Sequence, residues 1–291
     1  MMSPNPSDPG ESLMAYKTIL VHLDAAKDID SRLDIAFALA QKFDAHLVGL
    51  YALSVTPLPG WALAEAGETI DKIQANARVA LAEAGRKVWD AAVKRSNCSK
   101  CEWRTSTADA LEAVTLHARY ADLVIIGQSD GSGKSGLTRD FEQHLLLAAG
   151  RPVLVVPYAR DKRAVGNNVL VAWNASQEAT RALTDALPML QAAKLVRVAA
   201  FNVGRKGGMH GEVPGADIAL YLSRHGVKVT VSQYQADDVD VGNQLLSRAA
   251  DLDTDLIVMG AYGHSRMSEL ILGGVTRTLL ESMTVPVLMS H

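Results

Sequence analysis

Cysteine is nearly missing from this chain: Cys98 and Cys101 are the two in 291 residues. So few thiols exclude a disulfide framework and fit a reducing cytoplasm, the expected location. Their CxxC spacing has no second pair to complete a four-ligand zinc site. It also falls between a long helix and a strand, where no helix N-terminus lowers a thiol pKa, so the pair reads as incidental. Long hydrophobic runs are lacking too. None approaches the ~20 residues that cross a bilayer as a helix, so no membrane role is expected. There is no excess of positive charge. The formal net charge is −3, with no basic cluster, which argues against a nucleic-acid partner. The opening "MMSPNPSDPGESL" has neither the basic start nor the apolar stretch of a secretory signal. Residues 1–14 are expected to form a disordered tail, with the ordered chain beginning near Met14. No Ser/His/Asp order and no carboxylate pair marks a catalytic centre.

What is present is a core-forming composition, 48% hydrophobic and 21% charged, long enough for two domains. A repeat organises it. "KTILVHLDAAKDIDSRLDIAFALAQKFDAHLVGLYAL" aligns with "NNVLVAWNASQEATRALTDALPMLQAAKLVRVAAFNV", so that Asp24 falls on Asn174. The helix stripe Leu33, Ala36, Phe37, Ala40 falls on Leu183, Ala186, Leu187, Leu190, one buried face in each half. Near the ends, "ADLVIIG" matches "TDLIVMG" and "RPVLVVP" matches "VPVLMSH". The first half carries extra length in an Ala-rich helix, "AEAGETIDKIQANARVALAEAGRKVWDAAVKR"; the second has the loop "GRKGGMHGEVPG" and a shorter helix. Each half reads as five strands alternating with four helices. The strands are continuous apolar runs, which predicts two similar doubly wound parallel α/β sheets with right-handed crossovers. Domains over 15–160 and 161–291 are expected, joined in "YARDKRAVGN" and packed together rather than fused over a long buried boundary.

The stretch "GAYGHSRMSELILGGVT", residues 260–276, follows the apolar strand "DLIVM". Ligands of open α/β sheets sit beyond the carboxyl ends of strands, where strand order switches. Gly260 there would let a group approach the main chain closely, and Gly263 would allow a left-handed turn. Gly273 and Gly274 precede a helix whose free amides and dipole favour an anion. The chemistry allows two readings, a phosphate cradle or turns with no ligand. His264 and Arg266, inside the loop, either neutralise outer phosphates or face water.

The spacing Gly-x2-Gly-x9-Gly after a strand resembles the ATP-binding signature of the universal stress protein family. Gly260, Gly263 and Gly273 match it, and the opening strands "ILVHLD" and "VLVAWNAS" extend the likeness over nearly the whole chain as two tandem domains. The resemblance implies a Rossmann-like fold of the adenine nucleotide alpha hydrolase type, with the two domains forming an intramolecular pseudo-dimer. Pairing through last strands would bring "VLVVP" and "VPVLM" together. It implies an ATP site, with or without Mg, in the second half. Adenosine would lie on Ala172, Trp173, Asn174, Ala200 and Met259, and the phosphates on Gly260, Gly263, Gly273, Gly274, Val275 and Thr276. Two departures stand out: Gly274 replaces a Ser or Thr, and Asn174 replaces an Asp.

The first half lacks the signature. Asp130 stands at the second glycine position, and Arg139 and Asp140 stand where Gly273 and Gly274 do, so this half is expected to be nucleotide-free although Asp24 keeps the strand-end acid. "QSDGSGKS" nearly spells a P-loop, but Gln128 replaces its first glycine. His210, with Arg205 and Lys206, reads as a solvated loop. Three functions fit: a stress-response adaptor whose bound nucleotide biases a surface read by a protein partner, a nucleotide-free interaction scaffold, or a slow ATPase. A monomer acting as a pseudo-dimer and a homodimer are both compatible with the repeat.

Overall fold

The computed structural model describes residues 15–26, 29–54, 60–129, 135, 137, 138, 140–159, 164–201, 215–234, 240–262 and 274–291, with 60–74 as backbone only. The first half runs β1 (Thr18–Leu23), α1 (Ile29–Phe43), β2 (His46–Tyr51), α2 (Gly60–Ser96), β3 (Cys101–Thr105), α3 (Ala110–Ala118), β4 (Leu123–Gly127), α4 (Phe141–Ala148) and β5 (Val153–Val156). The second runs β6 (Asn168–Trp173), α5 (Gln177–Asp185), α6 (Leu187–Gln191), β7 (Leu195–Phe201), α7 (Ala216–Arg224), β8 (Val229–Tyr234), α8 (Val241–Asp251), β9 (Leu256–Gly260), α9 (Gly274–Ser282) and β10 (Val287–Ser290).

The strands form one ten-stranded sheet in the order β3-β2-β1-β4-β5-β10-β9-β6-β7-β8. Each half is parallel, with its order switching between β1 and β4 or between β6 and β9. The halves meet edge to edge through antiparallel β5 and β10, with Val153 opposite Met289 and Val155 opposite Val287. The expected pseudo-dimer is therefore joined by main-chain hydrogen bonds, and pairing of two edges removes an exposed template for aggregation. Because β5 and β10 run in opposite directions, the carboxyl ends of the two strand sets face opposite ends of the shared sheet.

Both faces of the sheet are covered. One core layer joins Leu33, Phe37 and Leu123 to Leu183, Leu190 and Leu256; the other joins Phe141, Leu145 and Val153 to Leu245, Ile257 and Leu279. The inner strands are apolar runs because neither face sees water, whereas the outer β3 and β8 are more polar and only partly covered. The repeated Asp of the "ADLVIIG" and "TDLIVMG" segments has a structural task. Asp122 accepts from the amides of Lys17 and Thr18, and Asp255 from those of Gly166, Asn167 and Asn168, so each carboxylate ties down the start of its half's first strand.

Further bonds cross the seam. Tyr16 donates to the Asp185 carbonyl at 2.8 Å and Gln128 to the Leu280 carbonyl at 2.7 Å; within the second half, Ser290 donates to the Asp185 carboxylate at 2.8 Å. Gln128 also accepts from the Tyr158 amide, so the first position of the near P-loop is a link between halves. One element differs from the repeat reading. The single helix expected over Leu183–Leu190 is two, α5 and α6, broken at Ala186. Pro188 has no N–H to give the carbonyl four residues earlier, so the first helix stops.

Candidate functional site

The second-half crevice lies at the switch point of β6 and β9. β6 ends at Trp173, which lies beside Ala200 of β7. Asn174 follows and is exposed; its side-chain oxygen accepts from the Ser176 amide at 3.1 Å. Ser176 in turn accepts from Ala179 and caps α5. In the first half, Asp24 accepts from the Ala26 amide at 2.9 Å in the same way. The strand-end Asp or Asn is thus a turn residue in both halves, and an amide oxygen performs that task as well as a carboxylate. Ala172 and Trp173 are half-buried, and Ala200 and Met259 are buried in the core.

Gly260 is explained without a ligand. A Cβ there would meet the Ala179 amide nitrogen at 2.5 Å and the Glu178 carbonyl carbon at 2.6 Å. The group that approaches this glycine is the first turn of α5. Main chain cannot swing aside, so Gly260→Ala should cost about 3 kcal/mol, the upper end for overpacking. Urea unfolding checks this; an unchanged midpoint would mean that α5 can retreat.

At the start of α9 the surroundings differ. Among the described residues, a Cβ on Gly274 would meet nothing nearer than an Asp240 carboxylate oxygen at 3.9 Å, and the φ of Gly274 is not left-handed. Asp240 caps α8 and accepts from Gly242 and the Thr278 hydroxyl. Val275 is half-buried. Thr276 is buried, and its hydroxyl oxygen takes a long 3.5 Å bond from the Tyr262 amide. Gly263, His264, Arg266 and Gly273 lie outside the described residues, as do Asp130, Arg139, Arg205, Lys206 and His210.

Sequence reasoning missed Tyr262. It holds a left-handed φ of 57° and packs edge-on against His291, with ring centroids 6.0 Å apart. Its hydroxyl is buried with no partner among the described residues. Burial, with the charges of Glu142 and Asp140 in the other half, pushes its pKa up to about 12. It is a neutral hydrogen-bond donor beside the glycine loop.

The first-half crevice is filled. Arg32 of α1 is fully buried. It donates to the His22 carbonyl at 2.8 Å and to the two Asp24 oxygens at 3.0 and 3.4 Å. A methyl on Gly127 would overlap its guanidinium, so this glycine makes room for an arginine. In the aligned repeat, Ala182 takes the place of Arg32. Burial pushes the Asp24 carboxyl up, but the Arg32 charge, helped by the Ala26 amide, outweighs it and holds the pKa below the usual range. Burial keeps His22 neutral; its Nε2–H donates to the Ala52 carbonyl at 2.9 Å. Asp140 precedes α4 without capping it, and Glu142 in the first turn of α4 accepts from the Ser129 amide.

Burial pushes the Glu142 pKa up to about 7, against partial relief from its own and the Ser129 amide and from Arg32. A folded pKa above the ordinary 4.5 means that the stability is present at low pH and lost as pH rises through about 7. Glu142→Gln keeps an acceptor for Ser129 and cannot ionise. Its stability relative to the parent should improve by roughly 3 kcal/mol at most between about pH 5 and pH 8. Asp24, whose pKa is lowered, titrates below this window. Parallel denaturation curves at the two pH values test this; a constant difference would mean that Glu142 ionises normally.

A cavity of about 240 Å³ lies away from both crevices, at the amino ends of the first-half strands, lined by Thr18, His46, Glu102, Arg104, His117 and Tyr120 among others. Among the described residues no His, Cys, Asp or Glu group could hold a metal ion, and no helix is long and apolar enough to cross a membrane.

The family model of the universal stress protein family matches this sequence twice, over residues 15–157 and 167–291. The chain belongs to that family, with two such domains in tandem. No curated protein sequence matches it. A universal stress protein from Archaeoglobus fulgidus DSM 4304 is similar in structure, with a TM-score of 0.68 and 17% identity over 94% of this chain and 95% of that one. A functionally unknown protein from Pseudomonas aeruginosa PAO1 gives a TM-score of 0.54 and 14% identity over 96% and 94%. A universal stress protein in complex with cAMP covers 50% of this chain and 99% of its own, at 20% identity and a TM-score of 0.34.

Proposed function

We propose that the second half binds ATP, with its phosphates at the start of α9, and that the first half is a closed pseudo-repeat. The chain would then act as a nucleotide-responsive adaptor in a stress response, its bound nucleotide biasing a surface read by a protein partner. The contrast between the two helix starts carries this reading. Among the described residues the first turn of α9 has room for a side chain at Gly274, while the first turn of α4 holds a buried carboxylate beside a buried arginine. Gly263 and Gly273 belong to the cradle on the family signature alone, with His264 and Arg266 beside the outer phosphates. Adenosine would meet Ala172, Trp173 and the exposed amide of Asn174. On this reading the domains divide as 15–160 and 161–291 after a tail of 1–14. Calorimetric titration with ATP, with and without Mg, is expected to give one site per chain. Two equivalent sites would overturn the closed first half.

The packing of Gly260 on α5 and the acid Asp240 beside Gly274 favour a second reading, a scaffold of the same fold that holds no nucleotide. Mass spectrometry of small molecules released from the purified protein separates the two.

A further inference from the structure

The turn between α2 and β3 carries chemistry that the nucleotide reading does not use. α2 ends at Ser96, and Asn97, with a left-handed φ of 51°, reverses the chain. β3 then begins at Cys101, so Cys98 and Cys101 sit at the two ends of a tight turn. Both thiols are free and half-buried. Cys101 Sγ donates to the Cys98 carbonyl oxygen at 3.5 Å, which holds the second thiol against the residue that carries the first. Both pack against the core layer that contains Trp89. Lys100, between them in sequence, pairs with Asp44.

We infer that Cys98 and Cys101 form a reversible oxidation site that closes to an intramolecular disulfide across this turn. Disulfide formation needs two Cβ atoms about 4 Å apart and partial access for a small oxidant. A turn that brings Cys101 Sγ within 3.5 Å of the Cys98 carbonyl, with both thiols half-buried, brings the pair close and leaves it open to a small oxidant. With glutathione disulfide as oxidant, one cysteine thiolate attacks a glutathione sulfur and releases the first glutathione. The second cysteine thiolate then attacks the cysteine sulfur of the mixed disulfide and releases the second. The protein sulfurs lose two electrons, the glutathione disulfide gains them, and the two thiol protons end on the two glutathione thiols.

Burial, then the neighbouring Cys98, raises the Cys101 pKa. A thiol of raised pKa is a poor attacker at neutral pH and a poor leaving group. The bond should therefore form slowly and persist, as a lasting mark of oxidising conditions and not a rapid peroxide response. The site lies at the outer strand of the first half, separate from α9.

The full-length protein equilibrated in glutathione redox buffers tests the proposal, with free thiols counted by alkylation and intact mass. Both thiols should be lost together, with removal of two hydrogens and no added mass. The equilibrium constant should be at least about tenfold larger in the folded protein than in the same chain unfolded in urea. By linkage, oxidation should then stabilise the fold by that tenfold, about 1.4 kcal/mol. Cys98→Ser should stop at a glutathione adduct on Cys101. An equal constant in the unfolded chain, cross-linked dimers on a non-reducing gel, or thiols that stay free would overturn the proposal.

Discussion

Replacing Arg32 with alanine should destabilise the protein by about 3–5 kcal/mol, the range for removing one partner of a buried ion pair. The guanidinium and the Asp24 carboxylate are almost fully shielded, and Glu142 adds a second carboxyl to the same crevice. Without Arg32, Asp24 keeps, among the described residues, only its bond from the Ala26 amide and must hold its charge in a buried place or take up a proton. The His22 carbonyl also loses a donor. Scanning calorimetry or urea unfolding measures the loss. A cost below about 1 kcal/mol would mean that water reaches the crevice and screens the pair. Pairing Arg32→Met with Asp24→Asn should lose less than Arg32→Met alone, since no unpaired charge is left behind.

The second large effect concerns Gly274, where stability and binding should move apart. Gly274→Asp places a carboxylate at the amino end of α9. The helix dipole favours it by about 0.3–1 kcal/mol, offset by repulsion from Asp240 nearby, so the fold should barely respond. A phosphate in the same place meets a like charge at about 4 Å, worth about 4 kcal/mol at an effective dielectric of 20. ATP affinity should fall at least about a hundredfold, or about 2.7 kcal/mol. Gly274→Ser should act oppositely. Its φ suits any residue, and its side chain overlaps none of the described residues, so a new hydroxyl donor can tighten binding by up to about tenfold. Titration of both variants against the parent tests this. Unchanged affinity in folded Gly274→Asp would mean that no phosphate runs past the start of α9. If the serine hydroxyl turns to Asp240 instead, Gly274→Ser would gain helix stability with no gain in affinity.

Some of this was readable from local pattern. The apolar runs, the helix stripe and the matched segments pointed to two five-stranded parallel halves, and the structure has them. Pro188 was visible too, but matching the stripes concealed its consequence, the break between α5 and α6. The glycines were harder. Gly260 looked like a residue that admits a close approach, and it is; the approaching group is α5, about eighty positions earlier, and no local rule names it. Gly127, its match in the first half, makes room for a side chain instead. Tyr262 stood between two motif glycines with nothing in its spacing to show a buried hydroxyl.

By itself the sequence determined the repeat, the family and the elements other than the break between α5 and α6, because those follow from periodicity of burial and from residues close together in the chain. Tertiary structure alone decided what occupies each crevice. Arg32 reads as a polar residue beside the α1 stripe, and becomes a buried cation only because Gly127 and Asp24 leave a space of its size and opposite charge. Ala182, at the matching place, leaves α5 free to close on Gly260. The same repeat thus packs in two ways, since the cost of burying a charge depends on partners that folding brings from distant positions.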